Sequence, residues 1–265
     1  MNAKKTFKTT ALLSAAVLAG ISLAGSAGAA TLNSVLDPNL SGTEKYDGWA
    51  GLIGVNYPGY GGFFTSGNPW PGPIASNQPG SSGDVAANKA QFNKVSGEGY
   101  LGGEVVYMGG PSGIGGVYSV TETNEIDNLA NVVFQVQIQT SGGNSFQPGG
   151  APTLTYNGGT AVPAGAAKGG YVWAQAPNGT FTPPGGEAQP LMTDVWAFQW
   201  DLSGIAGDIA DFKIQFTGVA HAGIHAIRLD QSTVYATVVP EPATLGLVGL
   251  AVAGLACGRR RRSPR

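Results

Sequence analysis

NVVFQVQIQT, residues 131–140, alternates with period two: Phe134, Val136 and Ile138 face one way, and Gln135, Gln137 and Gln139 the other. Such alternation marks a strand with one apolar and one polar face, so we expect a half-buried strand whose glutamines meet water. The pattern recurs downstream. DVWAFQWDL (194–202) places Trp196, Phe198 and Trp200 on one face. DFKIQFTGV (211–219) turns Phe212, Ile214 and Phe216 inward and Lys213, Gln215 and Thr217 outward. GIHAIRLD (223–230) and STVYATVV (232–239) read as two more strands, and GEVVYM (103–108) and GGVYSVTET (115–123) as shorter ones. One short piece, SGIAGDIADF (203–212), is helix-like, with Ser203 placed to cap it. Many short strands joined by glycine-rich turns predict an all-β fold, an antiparallel β-sandwich or jelly-roll-like domain.

The N-terminus reads differently. MNAKKTFKTT carries Lys4, Lys5 and Lys8 and no acid, ALLSAAVLAGISLAG is uncharged, and SAGAA is built of small residues. Basic, apolar, small is the order of a secretory signal peptide, here residues 1–30, with cleavage before Ala30 or Thr31. It implies handling by the secretion machinery. The single cysteine, Cys257, is not at the cleavage site, so no lipoprotein signal is present. Residues 31–239 then form one domain of about 209 residues, enough for one sizeable core. They hold 6 basic and 15 acidic residues, a net charge of −9. That field repels phosphates and excludes nucleic acid as a partner. The region contains no cysteine and therefore no disulfide.

Glycine and proline concentrate in three loops, residues 57–83, 141–152 and 178–190. The first also holds Tyr57, Tyr60, Phe63, Phe64 and Trp70. Those rings either pack back onto the core as an ordered loop or form an exposed platform for sugar rings. His221 and His225 have the spacing of a helical metal pair, but four residues along a strand span about 13 Å, too far for one ion unless a turn at Ala222-Gly223 brings them closer. Glu122, Glu125 and Asp127 form an acidic cluster without the pattern of an EF-hand. It is either a solvated turn or part of a calcium cage completed by Asp230, or by Glu44 and Asp47. Glu98 and Glu104 are the one pair of carboxylates that a polysaccharide hydrolase reading can name. The chain has no G-x-S-x-G, H-E-x-x-H or P-loop motif. We expect no catalytic residues, no enzyme and no required cofactor, with calcium as the alternative.

The chain ends in VVPEPATLGLVGLAVAGLACGRRRRSPR, residues 238–265. Ala243 to Gly258 is uncharged and as a helix spans about 24 Å, short of a typical ~30 Å hydrocarbon core. Arg259, Arg260, Arg261 and Arg262 orient its end toward the cytosol. Pro240 and Pro242 keep Val239 and Glu241 extended and end the last strand. Pro240-Glu241-Pro242, an apolar helix and a basic cluster, in that order, closely resemble the PEP-CTERM sorting signal of exported proteins of Gram-negative bacteria. The resemblance covers residues 240–265. It implies a transmembrane precursor in the inner membrane, recognition by exosortase (a membrane cysteine transpeptidase-like enzyme) and removal of the helix near the motif. It also implies a final place in the envelope, at the surface or in an extracellular matrix with exopolysaccharide. The run from Trp200 to Pro242 resembles, more loosely, the closing strands of sandwich domains in that group and carries no functional residues over. Two readings of the domain follow: a non-enzymatic surface or matrix protein, or a carbohydrate-binding module tethered at the cell surface and stabilised by calcium.

Overall fold

The computed structural model describes residues 35–62, 70–81, 90–109, 115–123, 125–141, 143–163, 165–182 and 185–238. The expected signal peptide, Phe63, Phe64, Pro240 to Pro242, the tail helix and Arg259 to Arg262 lie outside the described residues. Among the described residues there are thirteen strands and no helix. They are β1 (Ser41–Ala50), β2 (Ile74–Ala75), β3 (Gln91–Gly97), β4 (Tyr100–Leu101), β5 (Val106–Tyr107), β6 (Gly116–Glu122) and β7 (Asn131–Thr140). β8 (Thr153–Tyr156), β9 (Thr160–Ala161), β10 (Ala167–Phe181), β11 (Gln189–Asp201), β12 (Phe212–Thr217) and β13 (Gly223–Val234) follow.

Their pairings are antiparallel and build two sheets. The first runs β10-β11-β7-β13-β5-β4, with β1 also paired to β13; the second runs β2-β3-β6-β12-β8-β9. β13, the last described strand in the chain, therefore lies inside the first sheet. β7 is its centre: Phe134 is level with Phe198 on β11 and with Leu229 on β13.

Period-two alternation gives each sheet one apolar face, and the two apolar faces share one core. Phe134, Val136, Ile138, Phe198, Trp200, Ile227 and Leu229 come from the first sheet, and Phe92, Tyr118, Val120, Phe212, Ile214 and Phe216 from the second. Phe216 lies 5.8 Å, centroid to centroid, from Phe134 across the core and 5.8 Å from Tyr118 on its own sheet. Trp196 is expected on this face and is there, but only half-buried; it packs edge-on to Phe146 and donates its indole N–H to Ser145 Oγ at 2.8 Å. One ion pair also bridges the sheets: Lys45 on β1 reaches Glu122 on β6 at 2.9 Å, with the Glu122 side chain fully buried.

Three expectations need correction. Gln135 and Gln137 do not meet water; both are buried, because other chain segments lie across the outer face of the first sheet. Residues 203–212 are not helical. The Asp201 carboxylate accepts from the Ser203 N–H and hydroxyl, Gly207 takes φ +92°, and Asn157 bonds Ala210 and Asp208 instead of leaving them to a helix ladder. The two strands read from 223–230 and 232–239 are one strand that ends at Val234; residues 235–238 leave the ladder.

Candidate functional site

The segment before β1 and the segment after β13 both cross the outer face of the first sheet. Each is held by a glutamine on an alternating strand, Gln135 in 131–140 and Gln199 in 194–202. Gln135 on β7 accepts the Leu36 N–H at 3.0 Å and donates to the Leu36 carbonyl at 2.7 Å. Gln199 on β11 donates to the Ala236 carbonyl at 2.7 Å and accepts the Val238 N–H at 3.1 Å. A primary amide has one donor side and one acceptor side, so it closes a ring with a peptide group much as a neighbouring strand does. Leu40 and Val238 then cover Val133 and Ala197, flanked by Tyr171 and Trp173 from β10. Asp37 adds an ion pair to Arg228 at 3.3 Å, and Arg228 grips Asp230 at 2.7 Å and lies over the Tyr46 ring, 4.1 Å from its centroid. Burial pushes the Asp230 carboxyl up to about 6, opposed by its hydrogen bonds to Arg228.

The expected site residues fall apart in space. Glu122 and Asp230 are on opposite sides of the first sheet, since Glu122 meets Lys45 in the core and Asp230 meets Arg228 outside. Glu125 is half-buried and Asp127 exposed; Glu44 is exposed, and Asp47 is buried against the Ser76 hydroxyl. Among the described residues no three His, Cys, Asp or Glu side chains come together in a metal-binding group, so the calcium cage is not assembled. Glu98 is half-buried and Glu104 exposed; burial lowers the Lys94 pKa, and the charge of Glu98 only opposes that shift. Tyr57, Tyr60 and Trp70 pack against the core in an edge-to-face series that continues to Phe92, with centroid spacings of 5.8, 5.3 and 5.5 Å. They do not make an open platform.

The two histidines do not form a metal pair either; each has its own partner. His221 Nδ1 is 2.5 Å from the Tyr107 hydroxyl, and His225 Nε2 is 3.0 Å from Gln139 Oε1. His221 borders a cavity of about 170 Å³ on the outer face of the first sheet, lined by Val105, Tyr107, Gln139, Ser141, Phe181, Leu191, His221 and Gly223, whereas His225 meets it only through Gln139. Neighbouring strands bring Gln139, Gly223 and Tyr107 level with one another. Burial lowers the His225 pKa, against the charge of Glu104. Its neutral form is thus favoured in the fold, and it contributes stability that is present above about pH 6.5 and lost as pH falls through the lower folded value. Asp230 works in the opposite sense: with its folded pKa raised from 3.8 to about 6, acidification between those values favours the fold. The variant His225→Gln should therefore lose less stability than the wild type between pH 7 and 5 in urea titrations. Parallel curves for the two proteins would show that His225 does not titrate against folding.

The segment pinned by Gln199 leads directly into the C-terminal tail. The family model of the PEP-CTERM protein-sorting motif matches residues 238–262. The chain carries a PEP-CTERM sorting signal. Its first matched residue is Val238, the one whose N–H the fold holds. A PEP-CTERM signal implies an exported protein, sorted to the cell envelope with exosortase as its processing partner. The match leaves the two-sheet domain untouched, and no curated protein or solved structure matches the chain.

Proposed function

We propose that this is a non-enzymatic envelope or surface protein whose 31–239 domain is a β-sandwich delivered by its PEP-CTERM tail. The observation that carries the proposal is the junction at Val238, where a residue that Gln199 ties to the fold is also the first residue of the sorting motif. In this reading residues 1–30 are removed on export by the secretion machinery of a Gram-negative cell. Ala243 to Gly258 cross the inner membrane, and Arg259 to Arg262 stay in the cytosol. Exosortase cuts near Pro240-Glu241-Pro242, and the domain joins the surface or the exopolysaccharide matrix. The role needs no cofactor. It is supported by the use the fold makes of its polar groups: Glu122, Asp230, Asp194 and Asp47 are each tied to a structural partner.

The motif is tested by changing Pro240 and Pro242 to Ala. Without the prolines, helix is free to extend upward through the scissile region. The precursor should accumulate in the inner membrane at full size, with Arg259 to Arg262 attached. Mass spectrometry of the wild-type surface form supplies the opposing result: if peptides spanning Leu245 to Leu255 persist there, the tail is a permanent anchor and the sorting proposal fails.

A further inference from the structure

We propose that the cavity bordered by Tyr107 and His221 binds a neutral sugar ring. This inference is independent of the sorting reading, and it places a carbohydrate site away from the loop aromatics of residues 57–70.

The walls divide by chemistry. Val105, Phe181 and Leu191 supply apolar surface, while Tyr107, Gln139, Ser141 and His221 supply a phenol, an amide, a hydroxyl and an imidazole. Among the described residues no Lys, Arg, Asp or Glu lines it. A charged ligand would find no counter-charge there, and a purely apolar one would strip the polar wall of water without replacing its hydrogen bonds. A pyranose satisfies both walls. Its C–H face lies on an aromatic ring, and its hydroxyls each donate and accept. A volume of about 170 Å³ far exceeds one water's share of liquid, ~30 Å³, and falls below the ~300–1,000 Å³ of pockets for larger ligands, which suits one ring.

The site is also preorganised. His221 is held at φ +66°, a conformation that side chains other than glycine adopt at a cost, and such strain persists where surroundings enforce it, often at ligand sites. Those surroundings are specific. A Cβ on Gly109 would come within 2.9 Å of the Tyr107 ring and 3.2 Å of the His221 nitrogen, and one on Gly223 within 2.8 Å of Val105. Tyr100, Tyr107 and His221 form a row of rings spaced 5.5 and 5.9 Å. His225 occupies Gln139 Oε1, so the amide's donor side is what remains for a ligand. Phe181 borders the cavity from the end of β10 with 47% of its surface exposed, an apolar ring without a cover of its own.

The full chain in mild detergent would be titrated with methyl glycosides of glucose, galactose, mannose and N-acetylglucosamine, and with a tetrasaccharide of any that binds. Saturation-transfer NMR identifies the binder and calorimetry gives its affinity. At least one methyl glycoside should bind with a Kd of about 1 mM or tighter. Gln139→Ala and Phe181→Ala should each weaken it about tenfold while the melting temperature holds, since neither side chain belongs to the core. A tetrasaccharide that binds no better than its monosaccharide shows a single-ring site; tighter binding shows that the site takes the end of a longer glycan. The proposal is overturned if no glycoside binds, if cyclohexylmethanol binds as tightly as the glycosides, or if both variants bind as the wild type does.

Discussion

Phe216→Ala should cost the domain about 3–5 kcal/mol. Phe216 is 1% exposed and its ring meets four sources of packing at once: Tyr118 at 5.8 Å, Phe134 at 5.8 Å, Phe146 at 6.1 Å and the body of the core. Two of those partners belong to different sheets, so the cavity left by truncation has rigid walls on both sides. Collapse would require the sheets to approach along their whole length, which β-ladder geometry resists. Urea unfolding followed by tryptophan fluorescence should show an earlier midpoint with an unchanged slope. A loss below about 1 kcal/mol would mean that the space closes readily and that Phe216 is not the keystone between the sheets.

Lys45→Ala should be as damaging, again about 3–5 kcal/mol, for an electrostatic reason. The Glu122 carboxylate is fully buried, accepts from Gln231 at 3.0 Å and from the Thr123 N–H at 2.9 Å, and has Lys45 as its cation at 2.9 Å. Removing the lysine leaves a desolvated negative charge in the space between the sheets. The double variant Lys45→Met/Glu122→Leu removes both charges and substitutes apolar volume, which is often neutral or stabilising at such sites. It should therefore recover most of what Lys45→Ala loses. A double variant no better than the single one would place the cost in lost packing of the lysine stem.

Strands whose two faces differ in polarity could be read directly. β7, β11 and β12 follow their alternation, and Phe134, Phe198, Trp200, Phe212, Ile214 and Phe216 are core residues because period two is a local property. The burial of Gln135 was not readable, because the strap that covers it comes from Leu36, 99 residues away. β10 escaped because Gly169, Gly170 and Pro177 break its pattern; they fall at two of its three register shifts, where the ladder tolerates them. The acidic cluster misled because sequence proximity says nothing of faces: Asp230 and Gln231 are adjacent, yet one joins Arg228 outside and the other Glu122 inside. The cavity had no linear signature, since Tyr107 and His221 are 114 residues apart. Of that site only His221 stood out in the sequence, and only as half of a spacing weighed against metal. The sorting motif was legible because it is read as a linear segment, with order and composition as its whole content.

The place of β13 also sets an order of events. It pairs with β7 along one edge and with β1 and β5 along the other. Until it arrives, the first sheet is three separate pieces: β10-β11-β7, β5-β4 and β1 alone. A chain crossing an export channel from its N-terminus must deliver some two hundred residues before this wedge emerges, and the contacts it then makes are long-range and slow to form. The first sheet therefore closes last, on the strand that directly precedes the sorting signal, so that sealing of the fold falls to the stretch of chain next to that signal.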